Sequence, residues 1–260
     1  MSRLRHAASG SCVALLFVVG CAGSRAPHVS PLPASDARPA AFVAALARTG
    51  ASRESLRGVA RVALDGPGGS GRAKQILALA RPARLRVEVL GLLDQTIALL
   101  VTDGVRYRLV RSADHSVETG LVYDDLLADV TGIALTPLQA VDLLLGAPLT
   151  QVPPAITAAA LLADGGVRAV VARADAERRE ALDFDAHGRL VRWALLGSDG
   201  EALLEAVYTD PREAGDGWFA HAVELRDTAS GAVARFAWSR VELNPLLDDV
   251  LFALPPEPAP

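Results

Sequence analysis

The residues that could do chemistry are few, and their spacing argues against most of it. Gly66 to Gly71, GPGGSG, matches the G-x-G-x-x-G pattern of a dinucleotide cradle. Such a cradle needs a strand before it and a helix opening behind it, so that phosphate meets a helix N-terminus. Here the following RAKQILALA reads as another strand, and a flexible hairpin loop explains the glycines. The five histidines, His6, His28, His115, His187 and His221, are scattered, and none forms a metal-binding pair at helical spacing. His187 falls in a turn and His221 in a strand, where surface or satisfied-core roles suffice. No G-x-S-x-G elbow is present. The pairs Asp124-Asp125 and Asp248-Asp249 are more simply helix-start or surface charges than an acid–base couple. Triads do assemble across distant sequence, but nothing in this pattern asks for one. The expectation is a protein that is not an enzyme, with no metal and no cofactor.

The two cysteines, Cys12 and Cys21, both lie near the N-terminus. Arg3, Arg5 and His6 make a basic start, and Cys12 to Gly20, CVALLFVVG, is an apolar run. It is too short to span a bilayer as a helix but has the length of a signal-peptide core. It ends in Val18-Val19-Gly20-Cys21, which resembles the lipobox of bacterial lipoproteins, where cleavage precedes the cysteine and its thiol is lipidated. An ordinary signal peptide cut elsewhere is the alternative; small Gly20 directly before Cys21 favours lipidation. Residues 1–20 are therefore expected to be a lipoprotein signal peptide and Cys21 the lipidation site.

Cleavage would remove Cys12 and lipid would consume Cys21, so no disulfide remains for an oxidising compartment. Stability must come from burial, for which a chain of 260 residues at 51 % hydrophobic content has ample material. A net charge of −4 gives no basic footprint for nucleic acid. No second long apolar run exists, so the lipid on Cys21 is the expected membrane anchor.

The elements behind these residues are mostly strands. Residues 21–38 are rich in Pro, Ser and Ala and read as a flexible tether. Pro39 to Thr49 places Phe42, Val43 and Leu46 at helical spacing. In Arg84 to Leu90, Leu85, Val87 and Val89 alternate with Arg84, Arg86 and Glu88, the pattern of a half-buried strand. Val105, Tyr107 and Leu109 repeat it against Arg106 and Arg108. Similar runs occur at 55–65, 71–80, 95–102, 189–197, 201–209, 218–226 and 231–241. Turn dipeptides such as Asp103-Gly104, His187-Gly188, Asp199-Gly200 and Ser230-Gly231 separate several of them, which means antiparallel hairpins.

The middle differs. Tyr123 to Pro148 reads as two short helices, with Thr136-Pro137 as an N-cap start and Gly146 with Pro148 as the stop. Leu138, Val141, Leu144 and Leu145 give the second helix an apolar face that should lie on the sheet. Residues 150–181 are ambiguous: PPAITAAALLADGG suits a helix or a loop, and VRAVVAR a strand. The predicted fold is α+β, one curved antiparallel sheet of about 10–11 strands with short helices on one side. One domain is expected over 39–254, with a disordered tail over 255–260.

One hairpin raises a question. In Val87 to Leu99, VEVLGLLDQTIAL, Asp94 and Gln95 suit a tight turn, yet Leu92 and Leu93 sit at or beside its tip. Tips normally face water and carry Gly, Asn, Asp or Pro. Either the tip folds under a neighbouring loop, or it touches something apolar outside the chain.

Taken together, these residues resemble the LolA/LolB superfamily, and within it the LolB-like outer-membrane lipoprotein receptors. Arg84 to Thr96 is similar to the family's strand and hairpin, whose tip holds a protruding leucine; by position that is Leu93, with Leu92 where the family often has proline. Asp129 to Pro148 is similar to its helix pair, and Asp183 to Asp210 to its following hairpin. Asn244 to Pro258 resembles a LolA-like C-terminal strand more than a LolB end. The resemblance implies a curved, incomplete antiparallel β-barrel with an apolar cavity under the helices, with Leu138, Val141, Leu144 and Leu145 as its lid and Leu92 and Leu93 as contacts to acyl chain or membrane. It implies binding of lipoprotein acyl chains or other lipids, exchange with a periplasmic lipoprotein carrier, and help with their insertion into the outer membrane, by a monomer anchored on the periplasmic face. The alternative is a structural envelope lipoprotein that docks a partner with a filled core.

Overall fold

The computed structural model describes residues 30–148, 155–172, 178–215 and 217–254. The signal peptide, Cys21, most of the tether and the 255–260 tail lie outside the described residues.

The chain opens with a two-residue strand, β1 (Ser30–Pro31), and a helix, α1 (Arg38–Ser52). A first meander follows: β2 (Ser55–Gly66), β3 (Gly69–Ala80), β4 (Arg84–Leu90), β5 (Thr96–Thr102), β6 (Arg106–Arg111) and β7 (Ser116–Leu121). Two short helices, α2 (Leu126–Thr131) and α3 (Pro137–Leu144), come next. The second meander is β8 (Ala155–Leu161), β9 (Val167–Ala172), β10 (Arg179–Phe184), β11 (Leu190–Leu196), β12 (Ala202–Ala214), β13 (Gly217–Asp227) and β14 (Val233–Leu243).

All strands join one antiparallel sheet, in the order β1-β8-β9-β10-β11-β12-β13-β14-β2-β3-β4-β5-β6-β7. The two meanders meet where β14 pairs with β2, from Val233 opposite Asp65 to Leu243 opposite Leu56. β1 and β7 end the order without pairing to each other, so the sheet is curved and open, an incomplete barrel.

The sheet has 14 strands, more than the predicted number, and the extra ones have physical reasons. β7 is an edge strand whose residues are mostly exposed, so it shows no apolar face. β8 is the segment expected as helix or loop; its alanines carry no alternation, and pairing to β9 rather than local preference makes it a strand. β10 is buried on both faces from Glu180 to Phe184, which erases the period of two. The tether is also shorter than expected, because Ser30 and Pro31 pair with Leu161 and Ala160 of β8. GPGG forms the β2–β3 turn, as the hairpin reading requires.

Among the described residues 244–254, the C-terminal strand suggested by resemblance is absent. Asp248 instead caps a 3₁₀ turn over Asp249–Leu251 by accepting the N–H of Val250 at 2.9 Å. Phe252 then packs with Ala78 and Ala80 on the convex face of β3, under the Arg84 guanidinium 5.1 Å from its ring.

The main core lies on the concave side, under the three helices. α1 buries Pro39, Val43 and Leu46 there and brings Phe42 to 5.6 Å from Phe184 of β10. α3 starts at Thr136, whose Oγ1 accepts the N–H of Gln139 while the Gln139 side chain accepts the N–H of Thr136, a reciprocal cap. At the far end of α3, Arg81 pairs with Asp142 and donates to the carbonyl of Ala147 at 3.1 Å. The cap fixes the start of the helix, and Arg81 ties its far end to the β3–β4 turn.

Candidate functional site

Where α2 and α3 cover the first meander, packing is incomplete. A recess of about 490 Å³ lies between Val62 and Leu64 of β2, Leu77 of β3, Val87 and Val89 of β4 and Leu100 of β5, with Leu225 and Phe236 closing its far wall. Its roof is Leu127 and Val130 of α2, Ile133 and Leu135 of the link, and Ala140 and Leu144 of α3. Nearly every wall is aliphatic because these strand positions are the inward half of the alternation read in the sequence. Arg72 and Arg111 are its cationic lining residues. The volume and lining suit an apolar ligand.

Of the four predicted lid residues, Val141, Leu144 and Leu145 are buried, and Leu144 lines the recess. Leu138 does not belong with them: it is 42 % exposed. Most of α3 is buried, at Pro137, Ala140, Val141, Asp142, Leu143 and Leu144. Leu138 shares its side of the helix with Val141, Asp142 and Leu145, all buried, so its exposure comes from its place in the first turn and not from its face. The lining supplied by α2 and the α2–α3 link was missed as a group, although Leu127, Val130, Ile133 and Leu135 are all apolar in the sequence.

Val89 and Ile97 line the recess and also flank the β4–β5 turn. Gly91 donates its N–H to the carbonyl of Gln95 at 2.8 Å, and Asp94 donates to the carbonyl of Gly91 at 3.1 Å. The N–H of Leu93 donates to the Gln95 side chain at 3.0 Å, and Lys74 pairs with Asp94 at 3.1 Å. Asp94 takes a left-handed φ of 57°, which Asp tolerates. A Cβ at Gly91 would meet the Gln95 side-chain amide at 2.5 Å, so that side chain would have to move from where it holds the Leu93 N–H. The outcome of this turn is that Leu92 is fully exposed and Leu93 is 88 % exposed. The tip projects, and does not fold under a loop.

A second pocket, of about 430 Å³, lies between the C-terminal half of α1 and β11–β13. Arg53, Arg189, Tyr208, Trp218 and Phe219 line it. Arg53 is 8 % exposed. It donates to the carbonyl of Leu145 at 3.0 Å and to that of Trp218, and lies 5.6 Å from the Phe219 ring. Burial lowers its pKa from the ordinary arginine value, against a smaller opposing effect of the Tyr208 hydroxyl. Burial in turn raises the pKa of Tyr208, helped by Asp142, and its hydroxyl donates to the carbonyl of Leu143 at 3.1 Å.

The remaining polar candidates stay apart. His187 is an exposed turn residue, and His221 Nδ1 lies 3.3 Å from the carbonyl oxygen of its neighbour Phe219. Among the described residues no group of three His, Cys, Asp or Glu could hold a metal, and no helix is long and apolar enough to cross a membrane.

No family profile matches the chain, and no curated protein matches it. Solved structures do. A LolA superfamily protein from Nitrosomonas europaea aligns with a TM-score of 0.55 at 10 % identity, over 82 % of this chain and 97 % of that one. A DUF1329 family protein from Desulfovibrio piger aligns at 0.57 and 9 % identity, over 83 % and 95 %. A domain assigned to outer-membrane lipoprotein sorting, from Vibrio parahaemolyticus, aligns at 0.50 and 11 % identity, over 82 % and 94 %. At such identities the likeness is one of fold, and the fold is the one that the resemblance implied.

Proposed function

We propose that the chain is a lipid-anchored lipoprotein of the outer membrane's periplasmic face, which holds lipoprotein acyl chains or other lipids in the recess under α2 and α3 and assists their insertion into the membrane. The observation that carries this reading is a juxtaposition. The hairpin that supplies Val89 and Ile97 to the apolar wall also carries Leu92 and Leu93 out into water. A fully exposed leucine forgoes roughly 1.5–3 kcal/mol of burial until it meets an apolar partner. An acyl chain or a bilayer would provide that partner at the mouth of the recess. The lipoprotein-sorting assignment of the Vibrio structure supports the same class of cargo. A periplasmic carrier that hands over the cargo fits this role, as does a protein that makes and breaks no bonds.

The test is displacement. An apolar fluorescent probe should bind the protein saturably and be released by a long-chain fatty acid, with binding reduced by Leu144→Phe, which fills the recess. A protein that binds no probe, yet binds another envelope protein stoichiometrically, would instead be a docking lipoprotein with a filled core.

A further inference from the structure

The pocket beside α1 is chemically unlike the acyl recess. Two guanidinium groups line it, Arg53 and Arg189, against one carboxylate, Asp185. That carboxylate is already committed: it accepts from Arg189 Nε at 2.6 Å and from the N–H groups of His187 and Arg189 at 2.9 and 3.0 Å. Arg53 has only main-chain carbonyls, of Leu145 and Trp218, as hydrogen-bond acceptors for its side chain among the described residues. Carbonyls satisfy hydrogen bonds but do not neutralise charge, and a guanidinium offers five N–H donors, of which these contacts use two. A buried ion with no counter-ion carries a desolvation penalty, which an arriving anion would relieve. At the mouth, Trp218 is 46 % exposed, with the Arg189 guanidinium 5.2 Å over its ring.

We propose that this pocket is an anion site, in which Arg53 takes the phosphate or carboxylate of a small organic molecule whose body lies against Trp218. Arginine suits either group because its planar fork can donate two parallel hydrogen bonds to it. Arg189, already neutralised by Asp185, acts at the mouth by holding the Trp218 ring. The site faces a different part of the sheet from the acyl recess, so its occupancy and the acyl-chain reading stand or fall separately.

The experiment titrates the full chain with inorganic phosphate, phenyl phosphate, benzoate and phosphatidylglycerol vesicles, following tryptophan fluorescence and calorimetric heat. The expected result is saturable binding of phenyl phosphate that perturbs fluorescence and raises the melting temperature. Arg53→Gln should weaken it at least tenfold, and Arg189→Gln severalfold. Trp218→Phe should remove most of the fluorescence change but keep calorimetric binding. Arg189→Gln and Trp218→Phe are changes at exposed or half-buried side chains, and keep the test decisive if Arg53→Gln fails to fold. Binding of soluble anions assigns the site to a soluble ligand; binding of vesicles alone, lost in Arg189→Gln, assigns it to a lipid headgroup. If the wild type binds none of the four saturably, or a folded Arg53→Gln binds as tightly as wild type, Arg53 only ties α1 to α3 and β13, and the anion site is refuted.

Discussion

Asp227, the last residue of β13, accepts the backbone N–H of Ala134 at 2.9 Å through Oδ2, and so joins the sheet to the link between α2 and α3. Its other oxygen takes the N–H groups of Ala229 and Ser230 at 2.9 and 3.0 Å. Ser230 completes the tie by donating its hydroxyl to the carbonyl of Gly132 at 2.8 Å. The β13–β14 turn thus holds the roof of the recess at its middle, in the link between α2 and α3.

This tie should depend on charge. Burial opposes ionisation of Asp227, yet backbone N–H donors from Ser230, Ala134 and Ala229 outweigh it and hold the carboxyl below the usual range. A folded-state pKa below the unfolded one stabilises the protein above the unfolded value, about 4, and that contribution is lost as pH falls through the folded value. Asp227→Asn should cost about 1–3 kcal/mol near neutrality. The gap between wild type and variant should close in acid. Melting temperature against pH for both proteins checks this. Parallel curves would mean that the charge contributes nothing.

The leucines of α3 should separate by position. Leu145 is fully buried away from the recess, so Leu145→Ala should cost about 2–5 kcal/mol. Leu144 borders space that is already empty, so Leu144→Ala should cost less and change fatty-acid binding instead. Leu138→Ala, at an exposed site, should stay within about 0.5 kcal/mol of wild type. Thermal unfolding with and without fatty acid distinguishes the three. Equal losses at Leu144 and Leu145, with no ligand effect, would mean a filled core.

What the sequence revealed follows from where each signal is local. The alternation of Leu85, Val87 and Val89 depends only on one face being buried, and it marked β4 and the recess wall together. Thr136 and Gln139 carry their cap within four residues, so the start of α3 was legible. β10 was not, because Asp183 is buried on the outer face by pairing with Arg168 at 2.6 Å, a contact across strands. Leu138 misled because its side of α3 is covered from Val141 onward but not in the first turn. The second pocket draws Arg53, Arg189 and Trp218 from separate elements, and no spacing rule connects them. The junction of β14 with β2 is likewise a long-range pairing that no local pattern encodes.

Anchoring is expected to rest on Cys21. Cys21→Ser removes the thiol that would carry lipid, and should release an acidic, folded domain from the membrane. Fractionation after a high-salt wash checks this. A variant that stays with membranes would show a second anchor. Ala22, next to the expected lipidation site, is not the Asp that commonly marks inner-membrane retention, so wild type should fractionate with the outer membrane.

The decisive residues are at the hairpin tip. Leu93 is 88 % exposed, and its backbone is held by the Gln95 side chain, so its side chain contributes little to the fold. Leu93→Glu should therefore melt within about 0.5 kcal/mol of wild type. In liposome flotation the same variant should lose binding, because a carboxylate at the tip must be desolvated to enter hydrocarbon. Leu92→Glu should have a smaller effect on flotation, and the double mutant the largest. Gln95→Ala offers a separate test of geometry. It keeps both leucines but frees the Leu93 N–H, so binding should weaken without a change of charge. A lowered melting temperature with flotation unchanged in Leu93→Glu would make the tip a structural corner. Flotation lost at an unchanged melting temperature is the outcome expected of a membrane contact.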